Sequence, residues 1–198
     1  MTIVKPILYY PFFLFLLLAF IIKSESPKGL SVGDIAPGFN AMDQFGKQFD
    51  LDAQLKKGPV VLMFYRGHWC KYCNRQLEQL SDSLQFIYEK GASVVTVTPE
   101  VMEFVDETSQ KFNSSFRIIS DKNMEIMNAY KVTFNVDNGT GSKNKMWGKN
   151  LTKFNGDNGA NLPVPATYII NQDGTIRYVF FNENYRKRVS VETILMNL

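Results

Sequence analysis

Apolar runs of strand and helix length alternate along the chain from Leu30 onward, with turn residues between them. Residues 59–65, PVVLMFY, form a continuous β-branched and aromatic run. Such a run is typical of a strand buried on both faces, and it predicts the central strand of a sheet. Two further strands are predicted over residues 93–98 and 117–120. Because helices separate these strands, the pattern predicts parallel pairing within an α/β domain.

Helices are predicted where apolar residues recur at spacings of three and four. Residues 74–90 place an apolar stripe on one face, and Gly91 follows as a C-terminal cap. The stripe consists of Leu77, Leu80, Leu84 and Ile87. Further helices are predicted over residues 100–111, 123–130 and 191–197, the last with Ser190 as its N-cap.

Two hairpins and one long loop complete the pattern. Residues 43–51 are predicted to turn about Gly46. The runs ATYIIN and TIRYVFF are predicted to pair across the turn NQDG at 171–174. Between residues 136 and 161 the composition changes to Asn, Gly and Lys around a lone Trp147, and no period survives. A loop of this length in a small domain usually borders a functional site.

The first 26 residues differ from the rest of the chain. Lys5 precedes the apolar run ILYYPFFLFLLLAFII at 7–22, and the polar stretch KSESPKG follows. The segment is apolar on every face, so it predicts a hydrophobic helix that serves as a signal peptide or as a membrane anchor. Residues 27–198 then form one domain. Either interpretation places that domain outside the cytoplasm, in a periplasmic or secretory compartment.

Composition narrows the classes of function. The chain has 198 residues, 45% of them hydrophobic, which suffices for one domain with a real core. Its 22 Lys and Arg residues stand against 19 Asp and Glu residues without a dense basic block, which argues against a nucleic-acid partner. The two cysteines are too few and too close in sequence to hold distant parts of a fold together. Their spacing therefore points to chemistry.

The chemistry lies in the run FYRGHWCKYCNRQL, where the central strand is predicted to end at Tyr65 and a helix to begin near Cys70. Unpaired backbone NH groups and the positive end of the helix dipole stabilise a thiolate at that position. Cys73 follows one helical turn later on the same face, close enough to form a disulfide with Cys70. No metal is expected, because His68 is the only histidine of the sequence and there is no third cysteine.

An acidic thiol alone does not make a peroxidase. Lowering the thiol pKa from ~8.5 to ~6.5 raises the thiolate fraction at pH 7 about 25-fold, but nucleophilicity falls about 8-fold, which leaves a gain of about threefold. Donors that position the peroxide are needed as well. Arg66 and His68 flank the cysteines and are candidates for that role. Trp69 is predicted to form the rim against which a partner docks.

Five segments of the chain resemble, in order and spacing, the peroxiredoxin-like branch of the alkyl hydroperoxide reductase and thiol-specific antioxidant (AhpC/TSA) family. They are VGDIAPGF, GPVVLMFYRGHWCKYCNRQL, SVVTVTPE, IISDKN and LPVPATYIINQDGTIRYVFFNENYRKR. The resemblance runs from about Leu30 to the C-terminus. It implies a thioredoxin-like fold with a mixed central sheet flanked by helices, and a redox-active pair of Cys70 and Cys73. The activity that it implies is peroxide reduction or disulfide exchange, without a cofactor. It also implies a hydroperoxide as substrate and a thioredoxin-like protein or a small dithiol as reductant.

The chain departs from this family at the cysteines. In the peroxiredoxin register, Cys73 takes the place of the peroxidatic cysteine, and Arg66 and Cys70 take those of a proline and a threonine. The threonine that helps to hold the peroxide is therefore absent. In thioredoxins the first cysteine of the pair attacks, which corresponds to Cys70. The two registers disagree on the attacking cysteine, and for a peroxide substrate the peroxiredoxin register favours Cys73.

A second departure lies before the late strand. The family arginine is missing there, because Pro165 occupies its place in the run VPAT, where thioredoxins carry a cis-proline. The resemblance therefore implies a cis bond between Val164 and Pro165, and it assigns both residues to substrate positioning. Tyr185, Arg186 and Arg188 match a family segment, but Arg-rich loop ends usually lie at the surface, which is where we expect these residues.

The leading hypothesis is an exported thiol-dependent antioxidant enzyme that reduces hydroperoxides. One cysteine becomes a sulfenate, the other condenses with it, and an external dithiol reduces the disulfide. The alternative is a thioredoxin-like oxidoreductase that exchanges disulfides with proteins. A binding module with a relict cysteine pair is a third class, against which the spacing of Cys70 and Cys73 argues.

Overall fold

The computed structural model describes residues 26–136 and 151–198. Two small antiparallel sheets lie at its periphery. β1 (Asn40–Met42) and β2 (Gln48–Asp50) form the hairpin predicted about Gly46, whose φ of +66° suits glycine. β6 (Thr133–Asn135) pairs with β7 (Asn161–Pro163).

A five-stranded mixed sheet forms the centre of the described residues. β3 (Val60–Phe64) is its middle strand, and all five of its residues are buried. On one side, β4 (Ser93–Thr98) and β5 (Arg117–Ser120) continue the sheet in parallel. On the other side, β8 (Ala166–Ile170) and β9 (Ile176–Phe181) continue it antiparallel. The predicted strands and the parallel pairing of the first three are confirmed.

The helices cover both faces of the sheet. They are α1 (Leu51–Leu55), α2 (Lys71–Asp82), α3 (Leu84–Glu89), α4 (Met102–Lys111), α5 (Glu125–Ala129), α6 (Leu151–Asn155) and α7 (Val191–Met196). Short 3₁₀ turns precede α5 and follow α6, at Lys122–Met124 and Gly156–Asn158. α7 has the predicted cap, since Ser190 Oγ accepts a hydrogen bond from Thr193 NH.

Three helical predictions are wrong in their extent. The single helix over 74–90 is two helices, because the backbone of Ser83 leaves helical geometry (φ −111°, ψ 5°). The helix predicted from residue 100 begins at Met102, which leaves Glu100 in the preceding turn. The helix predicted over 123–130 is a 3₁₀ turn followed by α5, because Asn123 and Met124 have positive φ.

The long loop predicted over residues 136–161 is regular in its last part. α6 and the 3₁₀ turn after it lie within residues 151–158, and β7 begins at Asn161. Asn155 and Asn158 stabilise this regular part, because their buried side-chain amides donate hydrogen bonds to backbone carbonyls. The predicted position of Trp147 lies outside the described residues.

The sheet separates two hydrophobic clusters. Leu62 and Phe64 point to the side covered by α1 and α5. Val61 and Met63 point to the opposite side, against α2, α3, α4 and α7. The cysteine pair belongs to this second cluster, so the redox centre lies between the sheet and α2. It is part of the packed core.

The predicted signal peptide or anchor, residues 1–26, lies almost wholly outside the described residues, as does its predicted helix. Among the described residues, none of the helices has the length and hydropathy needed to cross a membrane.

Candidate active site

The turn between β3 and α2 places Cys70 at the end of the central strand. Tyr65 continues the parallel ladder by donating its NH to Val97 O (3.0 Å), and residues 66–69 then leave the sheet. Cys70 donates its NH to Gly67 O (3.0 Å) and is the N-cap residue of α2, with an extended backbone. As the sequence predicts, this thiol lies where the unpaired NH groups of the first helical turn favour a thiolate.

Cys70 is the more acidic of the two thiols. A hydrogen bond from the S–H of Cys73 outweighs the effect of burial and, with the backbone NH of Cys73 and the positive charges of Arg66 and Arg188, lowers the pKa of Cys70 to about 6. A fall from 9.0 raises the thiolate fraction at pH 7 about 90-fold, whereas nucleophilicity falls about 20-fold. The net gain in thiol reactivity at pH 7 is about fourfold. Groups that position the substrate must therefore supply the rest of the rate acceleration.

Cys73 lies deeper, at 0% exposure against 4% for Cys70. Burial raises the pKa of Cys73, and the hydrogen bond and negative charge of Cys70 raise it further. Arg188 opposes these effects, because its Nη2 donates to Cys73 Sγ at 3.2 Å. The guanidinium is held in place by the carbonyls of Tyr185 and Lys187. Cys73 thus keeps its proton while Cys70 is charged. The guanidinium of Arg188 already lies at hydrogen-bonding distance from the Cys73 sulfur.

Arg66 is clamped between two aromatic rings beside Cys70. Its Cζ lies 4.5 Å from the ring centre of Tyr185 and 5.0 Å from that of Trp69. The Nε and Nη1 atoms of Arg66 are buried, and among the described residues they have no hydrogen-bond acceptor. Tyr185 is in turn supported by an edge contact with Tyr72, with ring centres 5.8 Å apart. The predicted rim residue Trp69 is half-buried beside this guanidinium.

His68 faces away from the cysteines, toward a buried carboxylate. Glu100 is 0% exposed and accepts two hydrogen bonds from His68, from Nδ1 (2.6 Å) and from the backbone NH (2.8 Å). Burial raises the pKa of Glu100, although both bonds from His68 oppose that shift. The imidazole stacks on Phe104 with ring centres 4.8 Å apart and meets the edge of Phe154. His68 therefore anchors the turn before Cys70.

Val164 and Pro165 lie at the same edge of the sheet as the cysteine turn, because β8 follows them and pairs with β3. The bond between them is trans, since the described residues contain no cis peptide bond, and the prediction of a cis-proline is wrong. In this geometry Val164 NH donates to Val132 O at 2.8 Å. Pro165 O accepts a hydrogen bond from Asn182, which begins the segment that carries Arg188.

The structure thus brings together Cys70, Cys73, Arg66 and Trp69, and it directs His68 to another partner. Sequence reasoning missed the role of Arg188, which was expected at the surface, and that of Glu100, which was assigned to a helix. The signals for the arginine were the run of basic residues at 186–188 and the match of Arg188 to a family segment. Within the described residues, no cluster of His, Cys, Asp and Glu side chains could hold a metal ion.

Known proteins were compared with the chain. The sequence profile of the AhpC/TSA family matches residues 32–179. Peroxiredoxin Q, chloroplastic, from Oryza sativa subsp. japonica is 24% identical over 165 residues, which cover 83% of this chain and 65% of the rice protein. The thiol-disulfide oxidoreductase ResA from Geobacillus thermodenitrificans is 28% identical over 151 residues, which cover 76% of this chain and 69% of ResA.

One solved structure supports the fold assignment. The crystal structure of peroxidoxin BcpB from Mycobacterium tuberculosis aligns with a TM-score of 0.66 at 18% sequence identity. The alignment covers 85% of this chain and 96% of that protein. The predicted thioredoxin-like fold, with a mixed central sheet and flanking helices, is thereby confirmed for the aligned residues.

Proposed function

The chain belongs to the AhpC/TSA family, and on that premise we propose that it is a thiol-dependent peroxidase that reduces hydroperoxides through Cys70 and Cys73. The observation that carries the proposal is the low pKa of Cys70, about 6, beside a second thiol that already contacts a guanidinium. These two features match the two halves of a peroxidase cycle, which are attack by one sulfur and resolution by the other.

In the first step, the Cys70 thiolate attacks the terminal oxygen of the hydroperoxide. An S–O bond forms, the O–O bond breaks with its electron pair, and the leaving alkoxide takes a proton from water. Cys70 becomes a sulfenic acid, oxidised by two electrons, and the peroxide becomes an alcohol. Arg66 and Arg188 supply the positive charge that the developing alkoxide requires, in place of the missing threonine of the family.

In the second step, Cys73 resolves the sulfenic acid. Once Cys70 is neutral, its charge no longer raises the pKa of Cys73, whereas the hydrogen bond from Arg188 remains. Cys73 then loses its proton and attacks the sulfur of Cys70. The S–O bond breaks, water leaves, and the two residues are joined by a disulfide. An external thiol reduces this disulfide with two electrons and closes the cycle.

A second function is favoured by one feature of the site. The acidic thiol is the first cysteine of the pair and the less buried one, as thiol-disulfide exchange requires. The resemblance to ResA, named as a thiol-disulfide oxidoreductase, points in the same direction. The alternative is therefore an enzyme in which Cys70 attacks a protein disulfide and Cys73 releases the product.

Peroxide consumption separates the two functions. The purified protein is mixed with hydrogen peroxide, cumene hydroperoxide or tert-butyl hydroperoxide under excess dithiothreitol, and peroxide loss is followed over time. We expect catalytic consumption, abolished in the variant in which both cysteines are replaced by serine. No consumption above that double variant, together with reduction of a model protein disulfide, would establish the alternative.

We also propose that residues 1–26 direct the domain to a membrane and out of the cytoplasm. The support is the apolar run at 7–22, which follows Lys5 and precedes a polar stretch. The redox centre would then work in a compartment where disulfides persist.

A further inference from the structure

Basic residues concentrate in the two segments that flank the cysteine pair, 66–75 and 182–188. These segments contain six Lys or Arg residues against one acidic residue, Glu183. The six are Arg66, Lys71, Arg75, Arg186, Lys187 and Arg188. Because the chain as a whole is nearly balanced, this surplus is local to the site.

Three of these cations lie on a connected group of aromatic rings, which we call the cationic rim. It consists of Arg66, Lys71 and Arg186 with Trp69, Tyr72 and Tyr185. Beside the clamp on Arg66, the Nζ of Lys71 lies 5.2 Å from the ring centre of Tyr72, and the Cζ of Arg186 lies 5.7 Å from that of Tyr185. Aromatic faces attract cations without neutralising their charge, so the rim keeps a positive field beside Cys70.

The cations of the rim have no ion-pair partner among the described residues. In residues 26–136 and 151–198, the ion pairs join His68 to Glu100 and Glu107, and Arg117 to Asp43. None of them involves a cation of the rim. Arg66 also has two buried nitrogens without an acceptor, which is a costly state for a charged donor. A carboxylate is the acceptor that best fits a guanidinium, and it would supply the negative charge that the cations of the rim lack.

Oxidation of Cys70 and Cys73 to a disulfide increases the excess of positive charge at the site. In the reduced site, the Cys70 thiolate offsets one of the positive charges of Arg66 and Arg188. In the disulfide, both sulfurs are neutral, and the two guanidiniums face the site without a counter-charge from the cysteines. The oxidised site therefore attracts an anion more strongly than the reduced site does.

We propose that the cationic rim binds the carboxylate of a small anionic thiol and thereby selects the reductant of the disulfide between Cys70 and Cys73. The proposal rests on the proposed function, in which this disulfide forms at each turnover. A small reductant is inferred because Cys70 is 4% exposed and lies beside Trp69, which leaves little room for an approaching sulfur. A basic or neutral thiol of the same size would lack the attraction.

The chemistry balances as a two-electron exchange. The thiolate of the reductant attacks the sulfur of Cys70, and a new S–S bond forms. The bond between the two cysteines breaks, and its electron pair leaves on Cys73, where Arg188 is placed to stabilise the thiolate. A second molecule of reductant attacks the mixed disulfide at the sulfur of the first reductant molecule. The Cys70 thiolate is released, and the two reductant molecules leave joined as a small disulfide. One proton from solvent returns to Cys73.

The test measures disulfide reduction alone, without peroxide. The full-length chain is oxidised with diamide and mixed with 3-mercaptopropionate, 2-mercaptoethanol or cysteamine, which are anionic, neutral and cationic thiols of similar size. Samples are quenched with an alkylating agent, and mass spectrometry counts the free cysteines. Each rate is divided by the rate of the same thiol on bis(2-hydroxyethyl) disulfide, which removes differences in intrinsic reactivity. We expect the anionic thiol to react about tenfold faster than the cationic one after this correction, and high salt to reduce the ratio.

Two substitutions assign the preference to the rim. Arg66→Gln should reduce the ratio at least about threefold, while Arg66→Lys, which keeps the charge but loses the planar group stacked between the two rings, should keep only part of it. Lys90→Gln removes the same charge from an exposed site at the end of α3, and it should leave the ratio unchanged. Equal corrected rates for the three thiols would overturn the proposal, as would failure of diamide to form the disulfide or an equal effect of Lys90→Gln. None of these results depends on peroxide consumption, so the proposed function is tested separately.

Discussion

Arg188 Nη2 donates a hydrogen bond to Cys73 Sγ over 3.2 Å, although 115 positions of sequence separate the two residues. The contact places a permanent cation on the thiol that is not the acidic one. The contact stabilises the Cys73 thiolate. It acts in the second half of the cycle, because Cys73 must become a thiolate only after Cys70 has been oxidised.

Replacing Arg188 should therefore slow resolution more than attack. We expect Arg188→Gln to slow disulfide formation after a single addition of peroxide about tenfold at pH 7, since a charge-assisted hydrogen bond to a thiolate shifts its pKa by about one unit. The sulfenic acid at Cys70 should accumulate and be trapped by dimedone. Arg188→Lys should restore part of the rate, and Lys57→Gln, an exposed charge in a distant turn, should have no effect. Unchanged resolution in Arg188→Gln would remove this role.

Close packing around Gly67 constrains the turn before Cys70, and a substitution at this glycine tests that constraint. Its φ is +146°, and a Cβ there would come within 2.6 Å of both Glu100 Oε1 and Trp69 Nε1. We expect Gly67→Ala to lower the free energy of unfolding by about 2 kcal/mol or more, measured by urea denaturation. Gly33→Ala is the matched control, because Gly33 also has positive φ but has no atom within 4 Å of the added Cβ. Equal losses would mean that contact with Glu100 and Trp69 does not constrain the turn.

The central sheet was predictable because its signal is local. The continuous apolar run of β3 and the β-branched residues of β4 identify buried strands without information from distant residues. The break at Ser83 was not predictable in this way, since Leu80, Leu84 and Ile87 keep the helical stripe across it. An apolar stripe indicates which face is buried but not whether the backbone stays continuous.

The candidate site was predictable only in its nearest part. The cysteine pair and the position of Cys70 at a helix start follow from spacing and from the strand before it. Arg188 and Glu100 reach the site through tertiary packing, from segments after β9 and β4. The basic run around Arg188 marks a charged segment but does not indicate a contact with Cys73. The orientation of the His68 side chain is set by its hydrogen bond to the buried carboxylate of Glu100. The sequence pattern had placed Glu100 in a helix, so this contact was not predicted.

The reactivity of Cys70 should follow an acidic thiol in its pH dependence. Its pKa in the folded protein is lowered from 9.0 to about 6, so the thiolate is present above pH 6 and is lost as the pH falls through that value. We expect the rate of alkylation of reduced Cys70 by iodoacetamide to rise from pH 5 to 7 and then level off. Arg66→Gln should move the midpoint upward, because it removes a positive charge near the thiolate. A rate that still rises between pH 8 and 9 would contradict an acidic Cys70.

The N-terminal segment should decide the location of the chain. We expect the full-length protein to fractionate with membranes, because residues 7–22 form an apolar run without a charge. A chain that begins at Pro27 should remain in the soluble fraction with the same peroxidase activity. Carbonate extraction of the membranes distinguishes an inserted segment from a peripheral one. Recovery of the intact full-length chain in the cytosol would exclude both a signal peptide and an anchor.

Which cysteine attacks is the sharpest question, because the peroxiredoxin register favours Cys73 whereas the burial and pKa of the two thiols favour Cys70. We expect Cys73→Ser to form a sulfenic acid on Cys70 that dimedone traps, since the acidic thiol is intact and the resolving thiol is gone. Cys70→Ser should react with peroxide at least about tenfold more slowly, because Cys73 is fully buried and its burial, the largest cause of its raised pKa, is unchanged in this variant. Mass spectrometry of the dimedone adduct in each variant makes the assignment. A sulfenic acid found only on Cys73 would restore the peroxiredoxin register. Mixed disulfides with proteins on Cys70, without a sulfenic acid in either variant, would favour disulfide exchange as the function.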